Sequence, residues 1–196
     1  MGKHGPLEVR YEAGQLVLNS PSGNQSFGSL HRVWQSVFNR LNLKDSPPQN
    51  VLLLGLGGGS VARILRQELR VAAPITAVEI DPAMVELAQR YFQLDAITGL
   101  RIILGDAIIQ AHGLTGRFDL VVVDLFADLD LANGVDTMGF AHALRNRCEG
   151  VLCFNTVAYN GPSRRRCDKV KANLERVFTS VDEWRLEGVN RVFIAR

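Results

Sequence analysis

A run of four apolar residues, Val51-Leu52-Leu53-Leu54, ends directly in Gly55-Leu56-Gly57-Gly58-Gly59. No other feature narrows the folds open to this chain as far. A wholly apolar run of that length predicts a strand covered on both faces, which a parallel sheet flanked by helices provides. Glycines placed after it let the backbone turn tightly and come close to a ligand. Val61, Ile64, Leu65 and Leu69 then fall at helical spacing. The turn therefore opens a helix, whose first N–H groups are free for a negatively charged group. Taken alone, the loop is a weak signal, since a plain tight strand-to-helix turn also accounts for it.

The rest of the chain alternates in the same way. Ile75 to Ile80 reads as a second strand, and Asp81 caps a helix with Pro82 at its first position, where the missing N–H costs nothing. Val85, Ala88, Tyr91 and Phe92 are expected to form the buried face of that helix. Arg101 to Leu104 and Phe118 to Asp124 give a third and a fourth strand. A helix around Met138 to Arg147 leads to a fifth, Val151 to Thr156, and another helix runs over about Ser163 to Phe178. Val181 to Leu186, a Glu187-Gly188 turn and Arg191 to Ala195 read as an antiparallel hairpin. The expected fold is α/β: a Rossmann-like, mostly parallel seven-stranded sheet with helices on both faces and a C-terminal antiparallel hairpin.

The first residues follow another pattern. Leu7 to Arg10 and Gln15 to Leu18 are short β-like runs, with turns at Glu12-Ala13-Gly14 and Pro21-Ser22-Gly23-Asn24. Leu30, Val33, Trp34, Val37, Phe38 and Leu41 make one apolar helix face, which Asp45-Ser46-Pro47-Pro48 ends. Residues 1–45 are thus expected to form a small N-terminal β-hairpin and helix segment, and residues 46–196 the Rossmann-like domain.

Composition excludes several function classes. Hydrophobic residues make up 46% of the 196, enough for a core that needs no staples. The formal charge of +2 does not call for a nucleic-acid partner. Arg164-Arg165-Arg166, with Lys169 and Lys171, reads as a solvated helix face. No apolar run is long enough to span a membrane, and no apolar signal core follows Met1 to Pro6. Cys148, Cys153 and Cys167 include no CxxC pair, so a reducing, cytoplasmic setting is expected, with Cys153 in the core.

Three acidic positions at strand ends carry the chemistry. Glu79 ends the second strand about twenty residues after the glycine loop, where a carboxylate can accept both ribose hydroxyls of a nucleoside. Gly105-Asp106-Ala107 ends the third strand, and Asp106 either holds the amine of adenine or caps a helix. Asp124 ends the fourth strand and is expected in the same crevice, as a base toward an amine or as a partner for a cation. Asp128, Asp130 and Asp136 follow on a loop and are expected to make its mouth acidic. No histidine is spaced to complete a metal site, since His112 and His142 read as ordinary helix residues. Ligands of open α/β sheets bind at this edge.

Val51-Leu-Leu-Leu-Gly-Leu-Gly-Gly-Gly-Ser60, Val78-Glu-Ile-Asp-Pro82 and Gly105-Asp-Ala107 resemble class I S-adenosylmethionine-dependent methyltransferases, and within them the spermidine synthase-like branch. The resemblance covers nearly the whole chain. It implies S-adenosylmethionine, or its decarboxylated form, as cofactor. Gly55, Gly57 and Gly59, with Gly58, would surround its amino-acid end and ribose. Glu79 would hold the ribose hydroxyls, Ile80 beside it would be a further cofactor-binding position, and Asp106 with Ala107 would contact adenine. Asp124 falls where spermidine synthases keep a catalytic aspartate, and Gln25 near a glutamine of their substrate pocket. Family members often pair as dimers, so a homodimer is one expectation.

The departures set the leading reading. Gly58 stands where spermidine synthases keep a loop aspartate, Trp34-Gln35-Ser36 replaces a Tyr-His/Gln-Glu triplet, and Leu125-Phe126-Ala127-Asp128 replaces Ser/Thr-Ser/Thr-Asp-Pro. A dicationic diamine must leave water to react, so each lost carboxylate weakens its binding. Methyl transfer asks for little beyond placing the nucleophile in line. The expected function is therefore methyl transfer to a small-molecule or protein acceptor that the sequence does not name, an amine being one candidate. The alternatives are an aminopropyltransferase of polyamine synthesis and a non-catalytic nucleoside-binding member of the family.

Overall fold

The computed structural model describes residues 7–12, 14–19, 24–26, 28–127 and 129–196. Three short strands come first: β1 (Glu8–Glu12), β2 (Gln15–Asn19) and β3 (Asn24–Ser26), an antiparallel sheet in the order β1-β2-β3. Helix α1 (Ser29–Arg40) follows and buries Val33, Trp34, Val37 and Phe38, with the Trp34 and Phe38 rings stacked at 5.5 Å.

The main sheet then begins with β4 (Val51–Leu54), whose four residues are all buried. Helix α2 (Ser60–Arg63) runs straight into a π-helical turn over Ile64–Glu68, closed by Leu69 N–H to the Ile64 carbonyl at 2.9 Å. Next come β5 (Ile75–Glu79), α3 (Pro82–Phe92), β6 (Leu100–Leu104), α4 (Ala107–Gly113) and β7 (Phe118–Val123). A two-stranded flap, β8 (Phe126–Ala127) with β9 (Asp130–Leu131), precedes α5 (Met138–Arg147). The chain continues through β10 (Cys148–Val157), α6 (Gly161–Val177), β11 (Val181–Leu186) and β12 (Asn190–Ala195).

The seven strands lie in the order β11-β12-β10-β7-β4-β5-β6. Strands β10, β7, β4, β5 and β6 are mutually parallel, and β12 runs antiparallel to both of its neighbours. This is the expected Rossmann-like sheet with its terminal hairpin. Strand period two explains the two cores. Val51 and Leu53 of β4 face one side with α1, α2 and Ala88 of α3. Leu52 and Leu54 face the other with α4, α5 and α6. The chain leaves β4 to one side through β5 and β6, then crosses to the other side with β7. The strand order reverses between β4 and β7, which is where open α/β sheets bind ligands.

Some local expectations need correction. Helix α3 buries Met84, Ala88 and Phe92, whereas Tyr91 is 39% exposed. The helix is covered on two sides: Ala88 meets the main sheet, while Met84 and Phe92 pack with Val17 and Leu18 of β2. A periodicity drawn for a single buried face misses that second contact. The basic run of α6 is only partly solvated. Arg164 and Arg165 are exposed, but Arg166 binds the carbonyls of Leu131 and Ala132 and the carboxylate of Asp136. Lys169 reaches the same carboxylate at 3.1 Å. No helix among the described residues is long and apolar enough to cross a membrane.

Candidate active site

Each parallel strand ends by turning its last residues toward the same edge. Backbone ladders continue one step past the strands: Gly55 N–H donates to Val78, Gly105 N–H to Glu79 and Asp124 N–H to Leu54. The edge is thus held as one surface. A cavity of about 430 Å³ opens there, lined by Gly55, Gly57, Glu79, Ile80, Asp106, Ala107 and Asp124, seven of the positions singled out from the sequence. Gly58 and Gly59 are buried behind the loop and do not line it. Gln25 lies on β3, and its side chain falls outside the described residues, as does Asp128.

The glycine loop is shaped first by the protein itself. Gly55 has φ of +92°, and a Cβ there would stand 2.1 Å from the Asp124 carbonyl oxygen. Gly59, at φ +91°, would drive a Cβ against Leu94 at 2.8 Å. Both angles lie in the region that side chains avoid.

Glu79 is 8% exposed and is the anchor of the loop. Its Oε2 accepts the N–H groups of Leu56 and Gly57, both at 3.1 Å. Its Oε1 accepts those of Ile80 at 2.9 Å and Asp81 at 3.0 Å. Burial pushes its pKa above the ordinary carboxylate range, and the four N–H donors oppose that shift. Asp106 caps α4: its Oδ1 accepts from Ile108 at 2.8 Å and from Ile109 at 3.4 Å. Capping and lining the cavity are compatible, because only one of its two oxygens is engaged by the helix.

Asp124 follows β7 and receives two side-chain donors. Trp34 Nε1–H reaches Oδ2 and Asn155 Nδ2–H reaches Oδ1, both at 2.9 Å. Asn190 donates in turn to Asn155 Oδ1 at 3.0 Å. Burial raises the Asp124 pKa, and the Asn155 and Trp34 bonds pull against it. Asn155 and Asn190 also line the cavity and were not anticipated. A polar residue inside the apolar run Val151-Leu-Cys-Phe-Asn155 was the available signal for the first. None marks Asn190, which arrives through pairing of β12 with β10.

The acidic mouth differs from expectation. Asp136 is turned to Arg166 and Lys169, and Asp130 accepts the Tyr159 hydroxyl at 2.7 Å. Neither lines the cavity, because each is consumed in holding the flap to the β10–α6 side. The carboxylates that do line it are Glu79, Asp81, Asp106 and Asp124, and among the described residues no Lys, Arg or His does. The described residues contain no cluster of three or more His, Cys, Asp or Glu able to hold a metal ion.

Known proteins resemble this chain in sequence and in fold. A methyltransferase-domain family matches residues 51–146. An eEF1A lysine and N-terminal methyltransferase homolog of Drosophila pseudoobscura pseudoobscura is 31% identical over 180 residues, 82% of this chain and 26% of that protein. A polyamine aminopropyltransferase of Vibrio vulnificus is 30% identical over 155 residues, 76% of this chain and 50% of that protein. The chain therefore matches only about a quarter to a half of the length of these relatives. Among solved structures, a probable spermidine synthase from Corynebacterium glutamicum superposes with a TM-score of 0.80 at 17% identity, covering 100% of this chain and 78% of that one. Human methyltransferase-like protein 13 in complex with SAH gives 0.68 at 22% identity, covering 87% and 82%. Residues 51–146 thus match a methyltransferase-domain family, and the chain resembles the spermidine synthase-like branch of the class I S-adenosylmethionine-dependent methyltransferases.

Proposed function

We propose that this chain is an S-adenosylmethionine-dependent transferase that moves a methyl group to an amine acceptor. The observation that carries the reading is the convergence of Gly55, Gly57, Glu79, Asp106 and Asp124 on one cavity. Its volume of about 430 Å³ lies within the ~300–1,000 Å³ of small-molecule sites. Four carboxylates and no basic side chain among the described lining suit a ligand that carries positive charge, as a sulfonium donor does.

When bound, the donor supplies an electrophilic methyl group. The chain's own residues do the rest. Glu79 holds the glycine loop and accepts ribose hydroxyls. Asp106, beside Ala107 and Ile80, takes the adenine end. Asp124 accepts a proton from the acceptor amine, and its raised pKa makes it a better base than a free carboxylate. Residues 1–45 supply the cap, since Leu7, Ser29 and Leu30 line the same cavity, and Gln25 belongs to the acceptor side in this reading. The two relatives' printed names, a protein lysine and N-terminal methyltransferase and a polyamine aminopropyltransferase, both fit an amine acceptor. Three unpaired thiols suit a cytoplasmic setting.

Aminopropyl transfer is the second reading, and one observation favours it. A donor carboxylate finds no cationic side chain among the described lining residues, and Glu79 already engages the N–H groups of Leu56 and Gly57. Calorimetric titration with S-adenosylmethionine and, separately, with its decarboxylated form separates the two. Tighter binding of the carboxylate-bearing donor is expected. Tighter binding of the decarboxylated donor shifts the function to aminopropyl transfer, and binding of neither removes the cofactor assignment.

A further inference from the structure

The side chains around Asp124 form one hydrogen-bonded chain drawn from three elements. Trp34 comes from α1, Asn155 from β10 and Asn190 from β12. Trp34 and Asn155 are fully buried. A primary amide can sit either way round, with its oxygen or its nitrogen toward a given neighbour. The Asn190 N–H on Asn155 Oδ1 selects the orientation that turns Asn155 Nδ2–H to Asp124. A carboxylate offers about four acceptor sites, and Trp34 and Asn155 occupy one on each oxygen.

The surroundings otherwise work against a charge at this position. Leu125, Phe126, Val157 and Val189 line the same cavity. The other titratable groups lining it are the carboxyls of Glu79, Asp81 and Asp106, and burial is what works against the charge on Asp124. No cation among the described lining residues offsets them. An unsupported carboxylate in such a place takes up a proton and ceases to be a base. The two N–H donors are what the structure provides in favour of the ionised form.

We propose that Trp34, Asn155 and Asn190 are positioning residues for Asp124, holding its carboxylate ionised and in one orientation so that it can take a proton from the acceptor. The proposal rests on the reading of Asp124 as the base. Trp34 occupies the place of the tyrosine that the resemblance led one to expect, and its indole N–H serves the aspartate directly.

The chain has two tryptophans, Trp34 and Trp184, so the Trp34 indole signal in a nitrogen–proton correlation spectrum is assigned by its loss in Trp34→Phe. In the whole protein, that signal should move with pH through one titration, and the movement should vanish in Asp124→Asn. Asn155→Ala should raise the midpoint by about one pH unit, the size expected for losing one hydrogen bond to a charged group. Asn190→Ala should raise it less, because the freed Asn155 amide still spends part of its time in the same orientation. Should Asn155→Ala fail to fold, Trp34→Phe keeps a ring against Phe38, and the carboxyl-carbon signal of Asp124 reads its midpoint instead. An upward shift supports the proposal. A midpoint that stays or falls in these variants overturns it, as does an indole signal that ignores Asp124. The measurement needs neither donor nor acceptor. Its failure therefore leaves donor binding untouched, and a failure of donor binding leaves this result standing.

Discussion

At the residue scale, the loop glycines and the strand-end acids answer to different demands. Gly55→Ala places a methyl group on the Asp124 carbonyl and forces a left-handed backbone on a side-chain residue. It should cost about 2–4 kcal/mol of stability, read as a lower midpoint in urea unfolding, whatever happens to ligand binding. Glu79→Ala removes four N–H acceptor contacts and should weaken donor binding by about 1–3 kcal/mol; unchanged affinity in calorimetry would remove the ribose assignment. Asp124 makes a prediction about pH. A carboxyl whose pKa is raised by folding binds protons more tightly in the native state. Its favourable contribution is therefore complete below the ordinary carboxylate value and is lost as pH rises through the raised one. Stability of Asp124→Asn should accordingly fall less than that of the parent chain as pH rises from about 4; parallel curves would mean that burial does not set this pKa. The acids were legible in the sequence because strand ends in an α/β sheet share one edge. Asn155 and Asn190 were not, because neither pairing across β10 and β12 nor amide orientation leaves a local pattern.

At the scale of elements, the flap over the cavity is tied down by Arg166 as well as by the Asp130–Tyr159 hydrogen bond. Arg166 of α6 binds two carbonyls at the end of β9 and the Asp136 carboxylate. Burial works to raise the Asp136 pKa, but Arg166 and Lys169 prevail and hold it below the ordinary value. That contribution is present above the ordinary carboxylate range and is lost as pH falls through the lowered value. Arg166→Ala should free the flap: amide hydrogen exchange should quicken over 125–132 while donor affinity stays near that of the parent chain. Arg166→Lys should not restore protection, since an ammonium lacks the planar fork that reaches carbonyls and carboxylate together. Exchange unchanged in Arg166→Ala would mean that β8–β9 pairing and the Asp130–Tyr159 bond hold the flap without Arg166. The sequence marked Arg166 only as one of three arginines on a solvated face, because a long-range contact to backbone carbonyls has no signature in spacing. Element types were far easier to read. The apolar runs of β4 and β7 and the Asp81-Pro82 helix start carry their structure locally, whereas α3 misled because two unrelated surfaces cover it.

For the whole molecule, the two cores on either face of the sheet make global opening the route to its thiols. Cys148, Cys153 and Cys167 are unpaired, and none is more than 1% exposed. Burial pushes the Cys148 thiol up to about 11, so hardly any reactive thiolate exists near neutral pH. The sheet order that gives these cores also places the cavity at the switch between β4 and β7, so a ligand there holds strands from both halves together. Thiol labelling at about pH 8 should thus be slow in the native protein and should reach all three cysteines in urea. A ligand that binds only the folded chain lowers the open population by the factor 1 + [L]/Kd. At about one hundred times its Kd, S-adenosylmethionine should slow labelling about a hundredfold when reclosing outpaces reaction. Slowing by the full factor at all three positions means that donor binding spans the cooperative unit. Slowing at only some of them would place the remaining thiols in a part of the sheet that opens without releasing the donor.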